Sequence, residues 1–543
     1  MKKQLRIIPL GGLGEIGKNM TVLEYGRNMI VVDCGLMFPD SSLPGIDLVL
    51  PQFDYVVKNQ DQLRGIVITH GHMDHIGGLP YLMRQIKAPI YGTDMTIGMI
   101  RRQLDEGKVL QQAHLQVVKN TDSFQLGPFK INLFPVAHSI PGSVGLVIDT
   151  PVGAVVHTGD YKLDETPAGG QTTDLARLKK LTPNGVLALM ADSTNADRPG
   201  STPTEKRVTE ELDRLFTEAK DGRIIIATFA SLLARLQEII LLAKKHGRKV
   251  ALTGRSLQEN MAIARELGYI KIPDGTLVEI SARVPDKKLV ILSTGSQGEP
   301  RSALNRMAEG EHREVTVRKG DTIIISGGTI PGNEEEVGRM LNKLFARGAN
   351  VIYGKLADIH VSGHGSRDEM EIMLQAVQPK FFIPVHGEVR HQHLHARLAE
   401  KNNVAAANVY ILNNGAAWAS DGQKAWLDKP VGACDVMVDG RLVGEVGAVV
   451  IQDRQNLSQD GFIVALMRVN AANKLVGEPE LITRGFVTVA DSSELLKSAT
   501  REIKQHFRRG KVVAHDNVRE MLQNFFYRET QSRPVVLPSI IRV

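Results

Sequence analysis

From the N-terminus to about residue 200, short apolar and β-branched runs alternate with turn signals, at 4–10, 29–32, 65–69, 130–135, 144–149 and 154–158. Such runs, bounded by Gly, Pro, Asn and Asp, predict strands. Several end directly on a polar cluster: Val31-Val32-Asp33, Ile66-Val67-Ile68-Thr69-His70 and Val155-Val156-His157-Thr158-Gly159-Asp160. A strand that delivers His or Asp at its C-terminal end mounts a reactive group on a rigid element. From about Thr204 the texture changes. Helical periodicity over 205–219, 232–246 and 257–267 now alternates with apolar runs at 223–228, 249–253, 289–293 and 321–326. Strand-helix alternation predicts a parallel α/β unit. Its polar, glycine-rich strand ends, at 228–231, 293–299 and 326–334, fall where open parallel sheets line a ligand crevice. After about Val351 the first texture returns, with two more histidine-bearing strand ends at 360–364 and 381–386. The α/β unit therefore reads as an insertion into the first domain. A passage with Pro and Gly at 430–447 leads to a last segment, with strands near 461–469 and 481–489, helices near 492–507 and 516–527, and a closing apolar strand.

A chain of 543 residues is too long for one hydrophobic core, which agrees with two or three domains. The balance of 66 Lys and Arg against 60 acidic residues gives +6, compatible with a polyanionic partner but equally with an ordinary soluble enzyme. The two cysteines, Cys34 and Cys434, form no CxxC pair. This excludes a disulfide framework and a thiolate zinc site, and it points to a reducing compartment. The N-terminus reads as a strand and glycine turn, not a signal peptide. No apolar run approaches the roughly 18 residues of a membrane span, so a soluble, cytoplasmic protein is expected.

The sharpest signal is Thr69-His70-Gly71-His72-Met73-Asp74-His75-Ile76-Gly77-Gly78, straight after an apolar strand. His70 and His72, in an extended turn, can converge on one cation. Asp74 and His75, at the start of the next helix, can face a second. Imidazole and carboxylate without thiolate suit Zn²⁺ or Mn²⁺.

HxHxDH is the signature of the metallo-β-lactamase superfamily, which this chain resembles. The resemblance implies a role for Asp33 behind the ligands, orienting one of the histidines, for His138 as a further imidazole ligand, and for Asp160 as a carboxylate shared by both ions. An α/β insertion before the last ligand resembles the β-CASP nucleases. Their three extra motifs match Asp192, His364 and His386. Within that group the chain is most similar to the ribonuclease J family, on Pro9-Leu10-Gly11-Gly12-Leu13-Gly14-Glu15-Ile16-Gly17, His360-Val361-Ser362-Gly363-His364, the run at 295–300 and the run at 331–334. A departure shows after Ser231, where Leu232-Leu233 stands in a helix start expected to be more polar.

The implied fold is an α/β metallo-β-lactamase αββα sandwich with an inserted parallel α/β β-CASP domain and a small C-terminal α+β domain. The boundaries read are 1–205 and 352–428 for the catalytic domain, 206–351 for the insertion, 429–447 for a linker and 448–543 for the C-terminal domain. The resemblance also implies a metal-dependent ribonuclease with two divalent ions. His70, His72, His138 and Asp160 would hold one; Asp74, His75, Asp160 and His386 would hold the other. Such ions activate water and clamp a phosphodiester, with Asp74 orienting the water and His364, paired with Asp192, serving the leaving 3′-oxygen. The family degrades single-stranded RNA from a 5′-monophosphate end and also cuts internally, in RNA maturation (including rRNA) and mRNA decay. The terminal-phosphate pocket maps onto Ser231 facing the turn His360, Val361, Ser362, Gly363 and His364. A homodimer, or a tetramer, with other RNA-degradation proteins as partners, is implied as well.

Two alternatives belong to other classes. A small-molecule metallohydrolase would lack the insertion and the His364–His386 pair; an inactive RNA-binding scaffold subunit would have lost ligand positions. Other conspicuous residues take plainer readings: His157, His391, His393 and His395 as structural, and Lys497, Arg501, Lys504 and Arg508 as a solvated basic face.

Overall fold

The computed structural model describes residues 4–40, 42–330, 332–486, 493–508 and 515–543. Pro331, part of one motif above, lies outside them, as do the ends of the strand and helix expected at 481–489 and 492–507. The chain divides into two compact units. One comprises Met1–Phe38 and Val49–Val436, the other Pro39–Leu48 and Met437–Val543.

The larger unit contains two facing sheets and a third, separate one. The first sheet runs in the order Ala425–Asp428, Ala417–Ser420, Leu5–Gly11, Met20–Tyr25, Asn28–Val32, Leu63–Val67, Pro89–Gly92, His114–Val117. The second runs Phe381–Val385, Ala188–Asp192, Gly153–His157, Val144–Thr150, Phe129–Pro135, Ser123–Leu126. Their inner faces share one core, in which Ile7, Ile30 and Val67 meet Ile131, Leu146 and Ile383. Each such side chain stabilises by about 1.5–3 kcal/mol when fully buried. The outer face of the second sheet packs Phe382, Leu189 and Val147 against helices Leu175–Leu181, Arg367–Val377 and Val389–Lys401. Strand Phe381–Val385 pairs in parallel with Ala188–Asp192, so the chain returns to the same sheet after the insertion.

The insertion holds the third sheet, all parallel, in the order Lys249–Thr253, Leu289–Ser293, Ile224–Ala227, Thr322–Ile325, Asn350–Ile352. Its strands are apolar almost throughout, as a sheet buried on both faces requires. Helices Glu205–Glu218, Leu233–Lys245, Arg255–Glu266, Ala303–Glu309 and Glu334–Ala346 accompany it. This is the metallo-β-lactamase sandwich with an inserted α/β domain.

In the smaller unit, the sheet Glu480–Arg484, Phe462–Val469, Val535–Arg542 lays Ile463, Ala465 and Val536 on Ala499, Leu522 and Phe526 of helices Ser493–Arg508 and His515–Thr530. Two expectations change. Residues 360–364 form an irregular loop, not a strand end, because their backbone groups are engaged at the site described below. The passage 429–447 contains strands Asp435–Asp439 and Leu442–Val443, paired Val438 to Val443. Its Pro and Gly punctuate a hairpin.

Candidate metal centre

Strand Leu63–Val67 ends just before Thr69 and His70, and a single turn of helix, Met73–Ile76, follows His72. Four residues of the motif thus leave the sheet edge in different directions. Asp33 and His386 both leave their strands with positive φ, 61° and 51°, a conformation uncommon outside glycine and a local cost that points each side chain inward. Gly35 is needed where it stands, since a Cβ there would lie 1.7 Å from the Asp74 carbonyl oxygen.

The side chains converge. One ligating atom each from His70, His72, His138 and Asp160 lies within 4.8 Å of the others, and Asp74, His75, Asp160 and His386 form a second group sharing Asp160. The inward nitrogens nearly touch: His72 Nδ1 is 3.0 Å from His70 Nε2 and 3.1 Å from His138 Nε2. Asp160 Oδ2 stands 3.3 Å from His75 Nε2 and 3.6 Å from His386 Nε2.

Each of the five imidazoles has its other nitrogen held. Asp33 Oδ2 accepts from His75 Nδ1 at 2.7 Å and from the Thr69 hydroxyl at 2.8 Å. Thr69 Oγ1 is itself 3.1 Å from His70 Nδ1. His138 Nδ1 donates to the Gly363 carbonyl at 2.8 Å, and a Cβ on Gly363 would come within 2.8 Å of that ring. Thr194 Oγ1 holds His386 Nδ1 at 2.7 Å, and Ser231 Oγ holds His72 Nε2 at 3.1 Å. Outer partners that fix tautomer and ring orientation are the usual setting of a metal ligand.

The electrostatics fit a cation. Burial holds His70, His72 and His138 neutral, His72 down to about 4. Burial opposes charge on His386 as well, but Asp160 and Asp74 outweigh it and raise His386 to about 9. Burial would raise Asp74 and Asp160, yet the neighbouring imidazoles push both carboxyls below their ordinary range. Converging lone pairs beside the buried Asp160 and the part-buried Asp74 carboxylates are costly alone and are compensated by divalent charge.

At the mouth, His364 Nδ1 is 2.7 Å from Asp192 Oδ2, and His364 Nε2 is 4.0 Å from Asp160 Oδ2. Burial disfavours the imidazolium, but Asp192 and Asp160 prevail and raise the His364 pKa. Asp192 also accepts from the backbone N–H and hydroxyl of Thr194. The loop carrying His364 is tied down by Asn195 Nδ2, which donates to Ser362 Oγ and the His364 carbonyl, both at 2.9 Å.

Relatives agree with this architecture. The chain is 40% identical to "Ribonuclease J" of Thermus thermophilus, covering 99% of this chain and 95% of that one. It is 39% identical to "Ribonuclease J 1" of Streptococcus pyogenes (99% and 98%) and 37% identical to "Ribonuclease J2" of Bacillus subtilis (100% of both). The chain belongs to the ribonuclease J family. Family models match in order along it: a β-lactamase superfamily domain at 28–178, the ribonuclease J β-CASP domain at 221–344, a Zn-dependent metallo-hydrolase RNA specificity domain at 350–412 and the ribonuclease J C-terminal domain at 449–543. The fold is also similar to that of a crystal structure of a protein of unknown function from Enterococcus faecalis, with TM-score 0.52 at 14% identity, over 76% of this chain and 99% of that one. Fold and family are those of a metal-dependent nuclease.

The ribonuclease J glycine run serves the centre from behind. Leu13–Gly14 pairs in parallel with Gly387–Glu388, directly after His386. Glu15 accepts from the Gly12 N–H, Lys18 Nζ and Asn414 Nδ2. Among the described residues no hydrogen bond joins Ser231 to the 360–364 loop; the serine hydroxyl is 3.1 Å from His72 Nε2. His360 turns toward Gly328, whose added Cβ would meet its ring at 2.8 Å, and its Nδ1 is buried without a partner. Val361 is buried.

Leu232 and Leu233 are buried at the helix start, which explains their apolar character. His391 and His395 are buried in helix Val389–Lys401. His391 is 3.4 Å from Asp197, and His395 is 3.0 Å from Ser193 Oγ. His157 Nδ1 accepts from the Gly159 N–H. Lys497 and Arg501 lie near Glu494, and Lys504 pairs with Glu478. No helix of the described residues is long and apolar enough to cross a membrane.

Proposed function

We propose that this chain is a ribonuclease that hydrolyses phosphodiester bonds of single-stranded RNA at a two-metal centre, acting 5′ to 3′ from monophosphorylated ends and also cutting internally, in RNA maturation and mRNA decay. The observation that carries the reading is the convergence of five imidazoles and two carboxylates, with every imidazole pinned by a second partner. His70, His72, His138 and Asp160 would hold one divalent ion, Zn²⁺ or Mn²⁺, and Asp74, His75, Asp160 and His386 the other. Bound there, two such ions supply Lewis acidity and a water of lowered pKa.

The rest falls to the chain's own groups. Asp74 Oδ2 accepts a hydrogen bond and so orients the attacking water. His364, its pKa raised by Asp192 and Asp160 against burial, donates from Nε2 to the departing 3′-oxygen. The hydroxyls of Ser231 and Ser362 and the backbone N–H groups of 360–364 offer donors to a terminal phosphate. A triphosphate adds bulk and charge that the pocket would have to desolvate without further partners, so a triphosphate end is disfavoured.

We assign 1–205 and 352–428 to the catalytic domain, 206–351 to the insertion and 448–543 to a C-terminal domain that promotes dimerisation. Strand Val535–Arg542 is a sheet edge with Leu537 and Ile541 exposed, an edge that pairing with a second copy would cover. We place the enzyme in the cytoplasm. The test is cleavage of matched 5′-monophosphate and 5′-triphosphate RNAs, end-labelled and internally labelled. Faster end degradation of the monophosphate form is expected. Equal rates from both ends would overturn the end-recognition reading, and no cleavage of either RNA by metal-replete protein would overturn the ribonuclease reading.

A further inference from the structure

A second cavity, of about 490 Å³, opens between helix Asp94–Glu106 of the catalytic domain and the C-terminal edge of the parallel sheet. It shares no lining residue with the metal centre. The strand end after Ser293, expected to line a ligand crevice, borders it, and so does the one after Thr253.

Its lining is polar and rich in arginine: Arg102, Arg255, Arg301 and Arg306 against Glu106 and Glu299. Five of these charges divide into two groups, and Glu299 stands outside both. Glu106 lies 3.3 Å from Arg102 and 3.2 Å from Arg255, and Glu259 takes the far side of both at 3.0 Å. Arg102 and Arg255 are therefore neutralised and held in place. Arg301 and Arg306 have no carboxylate within ion-pair distance among the described residues. Arg306 Nε is moreover buried with no hydrogen-bond partner, although a buried N–H ordinarily finds an acceptor. Ser256 and Thr294 line the same space.

We propose that this cavity binds a phosphorylated nucleotide, with Arg306 and Arg301 receiving the phosphoryl group. Guanidinium forks match phosphate oxygens in pairs. The first turn of helix Arg255–Glu266 adds backbone N–H groups at the same wall. The volume falls in the range of small-ligand sites, roughly 300–1,000 Å³, and the shortage of apolar lining favours phosphate and sugar over a hydrophobic guest. A free mononucleotide and one nucleotide of an RNA strand present the same chemistry.

Equilibrium dialysis of the full chain against radiolabelled AMP and against an uncleavable phosphorothioate RNA hexamer separates the two sources. Each is compared with Arg306→Ala and with Arg301→Ala, whose exposed side chain can be removed without disturbing packing. Metal content and melting temperature of both variants should equal those of the wild type. A loss of AMP affinity on the order of tenfold in either variant supports a free-nucleotide site. The same loss confined to the hexamer supports the site with the RNA strand as its source. Unchanged affinity for both ligands in both variants overturns the proposal.

Discussion

Ser231, carried by the inserted domain, places its hydroxyl oxygen 3.1 Å from Nε2 of His72 in the catalytic domain. The other nitrogen of that ring faces His70 and His138, so the serine sets the tautomer and tilt of a proposed ligand. Ser231→Ala should weaken retention of one ion by about 10–100-fold, the usual cost of losing such a partner. It should also reduce the preference for monophosphate ends. Competition with a chromogenic chelator measures the first effect. A variant that keeps metal as tightly as wild type while losing only end preference would assign the serine to the RNA alone.

His364 and Asp192 form a pair at the mouth of the centre and, with His386, a third group of converging donors. His364→Ala is expected to slow end degradation and internal cleavage together, by about 10²–10⁴-fold for a lost proton donor, with metal content retained. Single-turnover rates on both substrates check this. Loss of bound metal instead would make His364 a ligand.

The loop bearing His364 also depends on a fully buried arginine. Arg235 donates to Glu205 Oε2 at 2.6 Å, to Ser326 Oγ at 2.6 Å and to the Ile359 carbonyl at 2.9 Å. Arg235→Met leaves Glu205 buried with only Lys162, 3.6 Å away. Breaking one side of such a pair costs about 3–5 kcal/mol. A large fall in denaturation midpoint is expected; a shift no greater than that of a surface substitution would contradict it.

The dimer proposal rests on the exposed edge of Val535–Arg542. Truncation after Gly447 should lower the mass seen by light scattering and weaken activity. An unchanged mass would locate the interface elsewhere.

Much of the centre was legible because its residues sit at strand ends in a short, ordered spacing. His70, His72, Asp74 and His75 are neighbours in the chain, and Asp33, His138, Asp160 and His386 each follow an apolar run. Other features carried no such mark. Besides Asp33, the groups that hold the ligands from outside are two threonines, a serine and the carbonyl of Gly363, ordinary in sequence and brought together only by folding. Ser231 was read toward the 360–364 turn because both belong to one family motif set, and its hydrogen bond to His72 had no mark in the sequence. The same loop was read as a strand end from the texture that returns after Val351; Ile359 and Val361 are buried there, and the Ile359 carbonyl accepts from Arg235. The hairpin within 429–447 was missed because Pro and Gly mark turns and linkers alike.

The central claim is that two divalent ions sit on seven converging side chains and carry the hydrolysis. Metal analysis of the full chain, combined with cleavage of a labelled single-stranded RNA before and after chelation, tests it most directly. The account predicts two ions per chain, loss of cleavage on chelation with recovery on adding Zn²⁺ or Mn²⁺, and near abolition by Asp74→Ala or His75→Ala in a folded protein. Wild-type cleavage in metal-free buffer would contradict it.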